Sequence, residues 1–139
     1  PKDLANYALL EASDSHRTQN LEWLTWRRWL EGNRQPKLAP KRWMHFNYAH
    51  QIVQAALTGQ GIALARMPLI ADSLASGDLV EVLPNARIDT PMVYWLLVGP
   101  RSGVRPEIQA FCQWLTGQAE LTRLAIGDVP DADAGAHPD

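Results

Sequence analysis

Asn47, Tyr48 and His50 open the stretch of this chain best suited to holding a small polar solute. They sit in Phe46–Arg66, FNYAHQIVQAALTGQGIALAR, which reads as a strand end, a capped amphipathic helix, a tight glycine turn and a buried strand. Asn47 is a good N-cap residue. The backbone N–H groups of Tyr48 to His50 are then unpaired donors at a helix start, where the dipole favours an anion by about 0.3–1 kcal/mol. Tyr48 and His50 are placed to line the same spot, although His50 reads equally as an exposed or packing side chain. Open α/β proteins bind small polar molecules where helices start beyond the carboxyl ends of strands.

Other chemistries find no support. His45 and His50 are five apart, and His45 falls on a strand, so they do not share a helix face as a zinc pair would. Cys112 lies in an apolar helical stripe and reads as a buried structural thiol. No glycine-flanked serine nucleophile is present. Gly59-Gln60-Gly61 comes after a helix and before a strand, the reverse of a phosphate loop. The pattern points to a ligand sensor rather than a catalyst, with no metal and no cofactor.

The elements that must position these residues alternate along the chain. Pro1 to Asn6 reads as a helical turn, and Tyr7 to Glu11 as a buried strand. Ser13 to Asn20 is loop-like. Leu21 to Glu31 reads as a helix in which Trp23, Trp26 and Leu30 share one face, ended by a left-handed cap at Gly32-Asn33. Lys41 to Phe46 is a second strand. Ala49, Ile52, Val53 and Ala56 share a face of the next helix, which Gly59 closes. Ile62 to Ala65 is a third strand, apolar on both faces and therefore internal to a parallel sheet. A helix opens at Pro68 and ends at Gly77. Leu79 to Leu83 and Met92 to Val98 read as further strands. Ile108, Phe111, Cys112 and Leu115 form the stripe of a last helix closed by Gly117, and residues 120–139 read as a disordered tail. The alternation predicts an α/β fold with a mostly parallel sheet.

Composition bounds the possibilities. The chain has 139 residues, 46% hydrophobic and 20% charged, enough for one soluble domain with a modest core. A net charge of −2 is no electrostatic footprint for nucleic acid. The single cysteine excludes an internal disulfide. No apolar run approaches the ~20 residues of a membrane helix. The chain begins on Pro1, with no initiator methionine and no leader-like segment, and reads as a fragment of something longer.

Four local features, taken in order, resemble the C-terminal part of LysR-type transcriptional regulators, in particular the glycine-cleavage and β-lactamase regulator branch. Pro1-Lys2-Asp3-Leu4 with Leu9-Leu10 is similar to the segment after the first crossover between lobes. Trp26-Arg27-Arg28-Trp29-Leu30 is similar to that branch's paired-tryptophan helix. Phe46 to Arg66 resembles its helix, glycine turn and strand. Met92 to Pro100, followed by Phe111-Cys112-Gln113-Trp114-Leu115, resembles its return strand and closing helix.

The resemblance implies a periplasmic-binding-protein-like (type II) lobe. Residues 1–98 would form the second lobe with the crossover strand, and residues 99–119 a helix belonging to the first. The effector, a small and anionic metabolite, would bind between lobes. Glu11, Ala12, Ser13 and Arg66 would border the cleft beside Asn47, Tyr48 and His50. Trp95 would touch it from the crossover strand. Arg66 would pair with the anion, or is a surface charge. DNA would be bound only through a separate N-terminal helix-turn-helix domain absent here. The implied assembly is a cytoplasmic homodimer or homotetramer with no membrane contact. A solute-binding protein or enzyme of the same fold, and an oligomerisation module without ligand, are the alternatives.

Overall fold

A computed structural model of the chain describes residues 1–12, 23–91 and 93–128. The chain divides into two compact units, Pro1–Pro91 and Met92–Asp139.

The first unit is organised by one strand. A 3-10 helix at Lys2–Asn6 buries Leu4 and leads into β1, Ala8–Ala12. Successive side chains of a strand point to opposite faces. Leu9 and Leu10 are both fully buried because each face of β1 is covered. Leu9 joins Leu4 and the Trp26, Trp29 and Leu30 side chains of α1, Trp26–Gly32. Leu10 joins Ile52 and Ala55 of α2, Ala49–Leu57. Helices on both faces explain the unbroken apolar run Ala-Leu-Leu.

β1 is the central strand. It pairs in parallel with β2, Arg42–Phe46, and with β3, Ile62–Ala63, giving the order β2-β1-β3. Met44 and Phe46 pack toward the α2 side. Trp43 and His45 stack at 6.4 Å on the other face, and Trp43 is half-exposed because β2 lies at the sheet edge. Gly61 is dictated by the β1–β3 approach. A Cβ there would stand 2.6 Å from the Ala8 carbonyl oxygen and 2.9 Å from Leu10 Cδ2.

Helix boundaries differ from the sequence reading in instructive ways. α1 begins at Trp26 because Thr25 caps it, its Oγ1 accepting from Arg28 N–H at 3.3 Å. Trp23 therefore precedes the helix and lies under the Arg28 guanidinium, 4.4 Å from the ring centre, while Trp29 takes its place in the core. The left-handed residue after α1 is neither Gly32 nor Asn33 but Arg34, with φ 59°. Arg34 N–H donates to Glu31 O at 3.1 Å and Gln35 N–H to Leu30 O at 2.7 Å, a complete C-terminal motif that satisfies the last carbonyls. α3, Met67–Ser76, carries Pro68 in its first turn and ends on Gly77 at φ 81°.

Leu79 to Leu83 is not a strand. Leu79 N–H turns back onto Ser73 O at 3.0 Å, and Leu83, Ala86 and Ile88 cover the Trp26–Trp29 cluster as an irregular segment. Glu81 and Arg87 brace it through two 2.7 Å hydrogen bonds.

In the second unit, Val93 to Val98 is likewise not a strand, and all six side chains are exposed. A strand requires a neighbour to complete its ladder, and among the described residues this run has none. α4, Pro106–Ile126, continues through Gly117 and stops only at Gly127, φ 73°. Glycine costs about 1 kcal/mol inside a helix, too little to stop this one. Residues 120–126, expected to belong to a disordered tail, are therefore its last turns. Residues 129–139 lie outside the described residues.

Candidate functional site

Parallel pairing sets the geometry. Ala12 is opposite Phe46, Glu11 opposite His45, and Leu10 opposite Ala63, so β1, β2 and β3 all finish on one edge of the sheet. Asn47 and Tyr48 leave that edge directly from β2, and Arg66 follows β3 by three residues as the N-cap of α3.

The α2 start is built one residue later than the sequence suggests. Tyr48, extended at φ −133°, is the N-cap in place of Asn47, because its carbonyl accepts from Gln51 and Ile52 N–H at 3.1 and 3.4 Å. Gln51 Oε1 in turn accepts from Tyr48 N–H at 3.3 Å. One of the three donors expected to be open is therefore taken. Ala49 and His50 N–H have no partner among the described residues and face outward from an exposed turn. The Tyr48 and His50 rings stack beside them, centroids 5.6 Å apart and planes within 16°. The edge thus presents two helix-start amide donors next to an aromatic pair, an arrangement able to receive a carboxylate with a flat body behind it.

Glu11, at the end of β1, also holds the start of α1. Its Oε2 accepts from Trp26 N–H at 3.1 Å and its Oε1 from Ala12 N–H at 3.2 Å. The carboxylate thereby closes the first turn of α1, where negative charge is favoured. Trp26 makes a second tie to β1, its indole Nε1 donating to Leu10 O at 2.8 Å in the buried interior. Sequence reasoning placed Trp26 in the core without this polar anchor. The signal was available, since a buried indole N–H nearly always finds an acceptor.

Ala12 is exposed at the sheet edge. Ser13 lies outside the described residues. Trp95 belongs to the second unit and is 72% exposed. Among the described residues no group of three or more His, Cys, Asp and Glu side chains could hold a metal ion. Cys112 is a half-buried free thiol on α4. No helix among them is long and apolar enough to cross a membrane.

With the sheet and its edge defined, kinship becomes decisive. Residues 1–120 match the family described as the LysR substrate binding domain, and the chain belongs to that family. Its fold is that of a type II periplasmic-binding-protein-like domain, of the α/β class, here with a small, wholly parallel sheet. The chain is 34% identical over 122 residues to the uncharacterized HTH-type transcriptional regulator y4mQ of Sinorhizobium fredii (strain NBRC 101917 / NGR234), covering 86% of this chain and 38% of that protein. It is 27% identical over 119 residues to the glycine cleavage system transcriptional activator of Escherichia coli (strain K12), covering 86% of this chain and 36% of that protein. The chain therefore spans less than two fifths of these curated relatives. No solved structure matches it at a significant level.

Proposed function

We propose that this chain is the effector-sensing part of a LysR-type transcriptional regulator. The match to the LysR substrate binding domain over residues 1–120 carries this reading. The relatives are named as transcriptional regulators, which favours regulation over catalysis and over solute transport. In this reading residues 1–98 are the second lobe, the following helix returns to the first, and a separate helix-turn-helix domain meets DNA in the cytoplasm. The regulator works as a homodimer or homotetramer.

The effector site lies at the carboxyl edge of the sheet. Ala49 and His50 N–H receive the negative end of a small metabolite, Tyr48 and His50 flank it, and Asn47 and Arg66 border it. Glu11 and Ala12 form the β1 side, Glu11 also holding the start of α1. A ligand touching both lobes favours their closed arrangement, and only its preference for that arrangement can shift the regulator's population.

Arg66→Ala in the intact regulator tests the site. Loss of a charge-assisted bond of about 1.5–3 kcal/mol weakens the effector concentration dependence of a reporter roughly tenfold or more. DNA affinity without effector, measured by gel shift, stays as in the wild type. An unchanged effector response removes Arg66 from the site.

A further inference from the structure

The opposite edge of the sheet carries a second feature that the effector reading does not use. The Lys2–Asn6 helix precedes β1, and the Arg34–Ala39 connector precedes β2, so parallel pairing brings both to the amino edge. There they border an open, shallow groove of about 370 Å³, with Lys2, Arg34 and Lys37 all exposed. Lys2, Arg34 and Lys37 line it with Gln35, over a floor that includes Ala5 and Leu38, and no carboxylate is among its lining residues. None of the three cations is ion-paired among the described residues. Three unpaired positive charges in one small concavity contrast with a chain whose net charge is −2.

The backbone supplies an independent observation. Arg34 is the only non-glycine residue at positive φ among those described, at 59°. It fills the position after α1 that glycine normally occupies. Strained conformations persist where the side chain has a task that offsets their cost. Here the strained residue is the one that brings a guanidinium to the groove that Lys2 and Lys37 also line.

We infer that the Lys2–Arg34–Lys37 groove is a second anion site, one that takes a small molecule with at least two negative charges, phosphoryl or polycarboxylate. Guanidinium and ammonium donors suit both oxyanion types. The five residues of β1 put roughly 13 Å of strand between this groove and the effector edge, so the two sites are physically separate. A nucleic-acid backbone is the less apt occupant, because the charge is confined to one pocket rather than spread along a face.

Titration of the chain with pyrophosphate and with citrate, each at constant ionic strength set by sodium chloride, tests this by calorimetry and by the amide shifts of Arg34, Gln35 and Lys37. Constant ionic strength separates binding from screening. Saturable binding of either probe at millimolar concentration or below is expected, and the probe that binds identifies the anion class. Arg34→Gly deletes the charge while relaxing the backbone, so the fold survives and affinity falls about tenfold or more. Lys37→Met weakens binding by a similar factor. The inference is overturned if neither probe saturates, or if Arg34→Gly binds as tightly as wild type. It is equally overturned if a short DNA duplex binds through Arg34 while both small anions fail.

Discussion

Arg34 isolates a single-residue cost that can be measured. A non-glycine residue in the left-handed region costs about 1–2 kcal/mol, and every hydrogen bond of the motif it closes is made by backbone atoms. Arg34→Gly keeps those bonds, and urea denaturation should show a stability gain of about 1 kcal/mol. Glycine's greater freedom in the unfolded chain trims the gain without reversing it. Glu81 gives a pH-dependent counterpart. The hydrogen-bonded Arg87 guanidinium holds its carboxyl below the ordinary glutamate range. A depressed folded pKa contributes stability that is fully present above the unfolded value of about 4.3 and is lost as pH falls through the folded one. Both side chains are partly solvated, so solvent screening limits the pair to about 0.2–1 kcal/mol. Arg87→Met should thus cost that much near pH 6 and progressively less as pH falls below about 4.3 in thermal melts. A pH-independent loss would mean that the arginine acts through something other than the Glu81 carboxylate.

Among the elements, β1 was the easiest to read, because Leu9 and Leu10 needed burial on both sides and α1 and α2 supply it. The glycine before β3 belongs to the same account. Gly61→Ala forces a methyl against the Ala8 carbonyl, an approach that backbone rather than a flexible side chain must relieve. The expected cost is about 1–3 kcal/mol in chemical denaturation. Gly59→Ala is a useful contrast, since its strain comes from φ 73° with nothing within 4 Å of the added carbon. Strand readings failed where they rested on local apolar content alone. Leu79–Leu83 and Val93–Val98 have the right residues, but a strand exists only when another strand accepts its hydrogen bonds. Gly117 misled for the opposite reason: one weak helix former inside a 21-residue helix is carried by the turns on either side.

At the scale of the molecule, the candidate site was partly legible. Strand ends near Glu11 and Phe46, with a helix leaving at once, followed from the hydrophobic pattern, and parallel pairing put them side by side. The side-chain roles followed less well. Asn47 lost the cap to Tyr48, and Gln51 took one of the three amide donors. Glu11 proved to bind the start of α1. The Lys2–Arg34–Lys37 groove had no sequence signature at all, since its charges come from two segments about 30 residues apart that only β1–β2 pairing unites.

Local interactions of neighbouring residues determined, from the amino-acid order alone, which segments become helices, that β1 is a buried strand, and the family the chain resembles. Hydrophobic spacing acts within a few positions, so a linear reading captures it, whereas the exact caps at Tyr48, Arg34 and Gly127 depended on how each helix end was packed. Which amides stay open, which carboxylate is already engaged, and which cations meet were decided only by tertiary structure. Those outcomes depend on register between strands distant in the chain, and register is a property of the assembled sheet.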